Sequence, residues 1–175
     1  MEVGLGKLLF KKRNILKNSF KFIGIALLVT IIVVVIWGYS ELKRPLPVTL
    51  GNVSVAGLHE PVTVWRDQNG VPHIEAQNEH DLYFAQGYVT AQDRLFQMDL
   101  GRRQASGRLS EVIGEATLNN DKYFRTFGLR RAAEATIDTL SQEALVALGA
   151  YASGVNAFIA EAIEKGTLPI EFRFM

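Results

Sequence analysis

The chain has 175 residues, no cysteine, and 19 Lys+Arg against 18 Asp+Glu. So even a charge balance gives no electrostatic case for a nucleic-acid partner. The missing cysteine excludes disulfides, thiol nucleophiles and thiolate zinc sites together.

At the N-terminus Lys7, Lys11, Lys12, Arg13, Lys17 and Lys21 precede FIGIALLVTIIVVVIWGYS, an uncharged run over residues 22–40. A helix of that length crosses a hydrocarbon core of roughly 30 Å. Positive charge on its leading side predicts a basic cytoplasmic flank over residues 1–21 and a transmembrane anchor over 22–40, with Trp37 and Tyr39 at the outer interface. The apolar run is longer than a secretory h-region and ends without a small-x-small cleavage pattern, so the expectation is a membrane-anchored protein with its C-terminal part extracytoplasmic. Secretion after signal cleavage is the alternative. Residues 41–49, with Pro45 and Pro47, read as a linker, and residues 50–175 as the exported region.

LGNVSVAGL (residues 50–58) and VTVWR (residues 62–66) alternate apolar with small or polar residues and read as short strands. Asn69-Gly70 suits the left-handed backbone of a tight turn before VPHIEA, which predicts a β-hairpin over residues 62–76. From Asn78 the period becomes helical. Asn78 is the expected N-cap, Glu79 and Asp81 suit the positive end of the helix dipole, and Gly101 and Gly107 mark expected endings. A short helix over residues 109–113 stops at Gly114, and helical sequence over 121–139 is interrupted near Gly128. After Ser141, Leu145, Leu148, Ala152, Val155, Ile159 and Ile163 recur at steps of three and four and predict a helix with one buried face, closed by Gly166 and Pro169. The final LPIEFRFM reads as extended or strand-like. The fold class is therefore α+β: an N-terminal transmembrane helix, then short strands with a β-hairpin and several helices.

The stretch HDLYFAQGYVTAQDRLFQMDLGRR departs from an ordinary amphipathic helix. Gln92, Asp93 and Arg94 point in directions roughly 100° apart, so they cannot all face water while Leu95, Phe96 and Met98 are buried. Such a helix is covered on several sides or frays, and Asp93 and Arg94 read as members of an ion-pair network rather than as catalysts. Gly87, in mid-helix, marks a place where another segment approaches closely. The histidines His59, His73 and His80 show no helical ligand spacing and read as surface or hydrogen-bonded residues. No serine lies in a G-x-S-x-G elbow, and Ser106 reads as a small residue for packing. No residue of this chain is assigned a catalytic, cofactor-binding or metal-ligating role.

Several motifs nevertheless follow one another in order. They are R-D-x-x-G-V-P-H-I at Arg66, Asp67, Gly70, Val71, Pro72, His73 and Ile74; F-A-Q-G-Y at residues 84–88; A-Q-D-R-L-F-Q-M-D at 91–99; R-R at Arg102 and Arg103; S-G-R-L-S-E at 106–111; FRTFGLRRAAEA at 124–135; and YASGVNAFI at 151–159, followed by LPIEF at 168–172. This series resembles the start of the α chain of the penicillin acylase (penicillin amidase) family of N-terminal-nucleophile hydrolases. The resemblance implies an incomplete piece of the αββα fold of that class over residues 50–175. It further implies an exported precursor that cuts itself into α and β chains, and hydrolysis of an N-acyl amide by the β chain's new N-terminal serine, whose own α-amino group is the base. The substrates implied are penicillin side chains or related N-acyl compounds such as N-acyl homoserine lactones.

The family's nucleophile, oxyanion hole, acyl-pocket helix and calcium ligands all fall beyond the portion matched here. Calcium is thus expected for the complete enzyme and no cofactor for this chain. The expected partners are the membrane, the remainder of the α chain with the β chain, and a small N-acyl amide. The chain alone is expected to be an inactive N-terminal fragment. A reading from another class stays open: a non-catalytic, membrane-anchored helical protein that binds a partner.

Overall fold

The computed structural model describes residues 3–175, with side chains from Lys21 onward. All of the basic flank but Lys21 lies outside the described side chains. The chain forms two units, Met1–Arg44 and Pro45–Met175.

The first unit is helix α1 (Val3–Lys43). Within it Lys21–Lys43 is long and apolar enough to cross a membrane, and none of it is buried within the protein. Its only charged residues after Lys21 are Glu41 and Lys43, at the far end, where the Lys43 ammonium lies 4.7 Å over the Tyr39 ring.

In the second unit residues 50–58, expected as a strand, form turns and bends instead. Gly51 and Gly57 adopt φ of 103° and 110°, which breaks the extended run that alternation alone suggests. The hairpin is present, as β1 (Thr63–Arg66) paired antiparallel with β2 (Pro72–Glu75), in register Thr63 to Glu75 and Arg66 to Pro72. Its turn is wider than the tight one expected. Gly70 N–H donates to Asp67 C=O at 2.9 Å and Asp67 N–H to Val71 C=O at 3.1 Å, and only Gly70 of the Asn69-Gly70 pair is left-handed. That is the pattern of a three-residue loop closed by a left-handed glycine. The Asp67 carboxylate supports it by accepting from the Asn69 and Val71 amides at 2.8 and 2.9 Å.

Helix α2 (Glu79–Ala105) starts at the expected Asn78 and runs through Gly101, so the earlier of its two expected endings is not used. It stops at Ser106 and Gly107, with Ser106 as C-cap. Helices α3 (Ser110–Ile113), α4 (Leu118–Phe127) and α5 (Leu129–Thr136) follow, with left-handed Gly128 between the last two. Ser141 caps α6 (Gln142–Lys165) through its hydroxyl, and left-handed Gly166 ends it. The closing segment is not extended: Ile170–Arg173 is a 3₁₀ turn, and Phe172 meets Phe96 edge to face at 5.7 Å.

The core is the crossing of α2 and α6. Phe84, Ala85, Val89, Ala91 and Leu95 of α2 are buried, as are Ala150, Gly154 and Ala162 of α6. The expected close approach at Gly87 is real, and Gly154 is its counterpart. A Cβ on Gly87 would lie 2.1 Å from the Tyr151 carbonyl oxygen, and one on Gly154 would lie 1.9 Å from that of Phe84. This contact decides which face of α6 turns inward. The backbones are so near that small residues line the seam, while Leu148 and Ile163 of the expected apolar stripe remain 56% and 62% exposed. Around the seam Tyr88 meets Phe158 edge to face, and its hydroxyl donates to Glu161 at 2.5 Å.

Helix α2 solves its polar crowding by kinking. Arg94 leaves the helical region at φ −142°, ψ 25°. Ala91 and Leu95 stay buried across the kink, and Asp93, Arg94 and Gln97 face outward. Coverage on several sides is therefore not what residues 45–175 provide.

Candidate functional site

Three clusters of polar side chains are arranged along α2, and each grips backbone. At its start, Asn78 and Asp81 form a reciprocal capping pair: the Asp81 amide donates to Asn78 Oδ1 at 2.8 Å, and Asn78 Nδ2 to Asp81 Oδ2 at 2.7 Å. The Asp81 carboxylate is fully buried and also accepts from the amides of His59 (3.0 Å, Oδ1) and Glu60 (2.9 Å, Oδ2). It thereby fastens the chain ahead of the hairpin to the helix. Burial by itself raises its pKa, but the donors, with His80 among them at 3.0 Å, outweigh that and hold it far below the usual carboxylate range.

At the kink, Arg66 of β1 makes a two-pronged contact with Asp93 at 2.8 and 2.9 Å, and also reaches Gln92 at 3.3 Å and the Gly70 carbonyl at 3.0 Å. The planar guanidinium thus ties hairpin, turn and helix together. Asp93 is an ion-pair residue as expected, whereas Arg94 stands exposed at the kink. Beside this clamp, residues 48–64 and the Phe84, Tyr88 and Gln92 face of α2 enclose a largely apolar cleft of about 370 Å³.

At the far end, Arg103 bridges Asp99 (2.7 Å) and Glu111 (2.9 Å), and Arg108 pairs with Glu111 at 2.8 Å. Buried Asp121 accepts from the Leu109 and Ser110 amides, both at 2.8 Å, and from the Ser110 hydroxyl. Burial raises its pKa and these donors lower it further than that, so it too is held as a carboxylate. Gly107 allows the approach, because a Cβ there would lie 2.7 Å from the Asp121 carbonyl oxygen.

The fold separates His73 from the other two histidines and brings those two together. His73 stacks on Trp65 in the hairpin at 4.0 Å, while His59 and His80 stack on each other at 4.2 Å beside Asp81. Among the described residues the serine hydroxyls with bonds are committed close by in sequence: Ser110 to Asp121, Ser153 to the Gly149 carbonyl. These clusters hold backbone in place rather than aim a nucleophile and base at a shared point.

The penicillin amidase family model matches residues 61–175. The chain belongs to that family. The penicillin amidase segment is 44% identical over 133 residues to the penicillin acylase 2 proenzyme of Pseudomonas sp. (strain SE83), covering 76% of this chain and 17% of that protein. It is 40% identical over 123 residues to the acyl-homoserine lactone acylase QuiP of Pseudomonas aeruginosa, covering 70% of this chain and 14% of that one. Among solved structures it is similar to a thermostable penicillin G acylase from Alcaligenes faecalis, with TM-score 0.58 and 35% identity over 65% of this chain and 60% of the other. The chain thus spans less than a fifth of the length of these two Pseudomonas relatives.

Asp81 and Asp121, the buried carboxylates, were not singled out in the sequence as anchors. For Asp81 a local signal exists in Asn78-x-x-Asp81, the spacing of a capping pair. For Asp121 no local signal exists, because its partners lie 11 and 12 residues upstream.

Proposed function

We propose that this chain is the N-terminal, α-chain scaffold of an exported acylase-type amidohydrolase that cleaves N-acyl amide bonds, of β-lactam side chains or of N-acyl homoserine lactones. The observation that carries the reading is the ordered family match from hairpin to α6, in a segment whose buried carboxylates bind its own backbone amides. The names of the relatives, one a penicillin acylase and another an acyl-homoserine lactone acylase, support the substrate class.

The nucleophile comes from outside this chain. An internal serine has its nitrogen in a peptide bond and so lacks the free amine that serves as base when the nucleophile is an N-terminal residue. The remaining α-chain segment and the β chain supply the nucleophile, the oxyanion hole and the rest of the αββα layers. Calcium, implied by the family, does not fit the residues present here: the described cluster able to ligate a metal is His59, His80 and Asp81, whereas calcium takes six to eight oxygens. No role for calcium is placed on this chain.

The 175-residue chain in detergent is therefore expected to release no product from phenylacetyl or aliphatic N-acyl substrates above a blank. The DNA beyond codon 175 is expected to encode a continuation with a serine-initiated β chain. Turnover abolished by mutating a residue of this chain would overturn the proposal. Unrelated DNA there, with no complementary β-chain gene elsewhere, would favour the membrane-anchored interaction protein.

The Lys21–Lys43 helix further supports an anchored topology, with the N-terminus cytoplasmic and the second unit outside. Mass spectrometry of the membrane fraction is expected to find the helix uncut. A mature N-terminus near Ser40 or Glu41 would instead establish a cleaved signal.

A further inference from the structure

We infer that His59, His80 and Asp81 form a site for a divalent transition cation of the zinc type. One donor atom from each of the three lies within 4.8 Å of the other two. His80 Nδ1 is 3.0 Å and His59 Nδ1 3.8 Å from the same carboxylate oxygen, Asp81 Oδ1. Atoms so spaced surround a point at little more than the roughly 2.0–2.2 Å of zinc–nitrogen and zinc–oxygen bonds.

The lone pairs of Asp81 point the same way. A carboxylate oxygen takes about two donors. Oδ2 is filled by the Glu60 amide and Asn78 Nδ2, and Oδ1 receives the His59 amide, which leaves one lone pair, the one His80 Nδ1 meets at 3.0 Å and would give up to the ion. Both imidazoles lie beside it, stacked face to face at 4.2 Å, so the exposed His59 ring has to turn out of the stack to aim its in-plane lone pair at an ion shared with His80. His80 can hydrogen-bond there, but 3.8 Å is too long for His59 to do so. A cation bonded to that lone pair and to both rings satisfies all three groups at once. The amide bonds that hold the buried carboxylate fix its orientation before any ion arrives, the usual part of groups surrounding a metal's ligands.

Access and chemistry agree. The His59 side chain is 66% exposed. That exposed side leaves a fourth position open to water. Two nitrogens and one oxygen suit zinc, nickel or copper rather than magnesium or calcium. Bound there, the ion would clip the segment before the hairpin onto the start of α2, a structural role independent of amide hydrolysis.

The test uses the full chain in detergent micelles, stripped with EDTA and titrated with Zn²⁺ by calorimetry and with Co²⁺ by visible absorption. One ion per chain is expected, with d–d bands of nitrogen–oxygen ligation. His59→Ala and His80→Ala are each expected to weaken binding about tenfold or more, while His73→Ala, in the hairpin, changes nothing. His59→Ala is decisive should His80→Ala unfold, since it leaves the Asp81 bonds to backbone intact and removes an exposed ring. Absence of saturable one-to-one binding by the unmodified chain, or unchanged affinity in His59→Ala, would overturn the site.

Discussion

Gly87→Ala is expected to destabilise the second unit by about 2 kcal/mol, although alanine is the better helix former. In open helix the change gains roughly 1 kcal/mol. Here the new methyl would stand 2.1 Å from the Tyr151 carbonyl oxygen and 2.9 Å from its carbon. Both belong to backbone, so no rotamer relieves the clash and α2 must shift away from α6. Overpacking of this kind costs about 3 kcal/mol, which decides the sign. Gly101→Ala, in the same helix with nothing within 4 Å of the new methyl, is the control and is expected to raise stability by up to roughly 1 kcal/mol. Thermal unfolding of the micelle-bound chain, followed by circular dichroism, separates the two. Equal effects would mean that the helices do not cross at Gly87. Gly154→Ala strikes the same crossing, so the double variant is expected to lose less than the sum of the two single losses.

Asp81→Asn is expected to lower the melting temperature by on the order of 10 °C and to flatten its dependence on acid. The buried carboxylate accepts from two backbone amides and Asn78. An asparagine replaces one accepting oxygen by an NH₂ group, which turns donor against donor at one of those amides. The pH dependence follows from the depressed pKa. Because the folded-state value lies below the unfolded one of roughly 3.9, the carboxylate's contribution is complete above that value and is lost as pH falls through the folded-state pKa. Melting temperatures of the unmodified chain and of Asp81→Asn, measured from neutral pH down to about pH 2, are thus expected to converge in acid. A constant gap between them would show that Asp81 is not held as a buried carboxylate.

What the sequence determined about this protein is its local order. Asn78 and Ser141 start helices because their side chains satisfy free amides at a helix end, Gly107, Gly128 and Gly166 turn the chain where φ must be positive, and the apolar run after Lys21 is helical because nothing in it competes with a helix. The Gly87 approach was legible too, since a glycine in mid-helix calls for a reason. The ordered motifs from Arg66 to Phe172 were enough for the family.

The tertiary structure alone decided matters that depend on pairs of segments. Alternation at residues 50–58 suggested a strand, but a strand needs a neighbour, and two left-handed glycines deny it one. Periodicity showed that α6 has an apolar stripe, yet the backbone approach at Gly154 turned the small-residue face inward and left Leu148 and Ile163 outside. Asp93 finds Arg66 through a kink that no spacing announced. The meeting of His59 with His80 over Asp81 was invisible for the same reason: a cluster assembled by folding has no spacing in the sequence, because the distance that matters is set by what the intervening chain packs against.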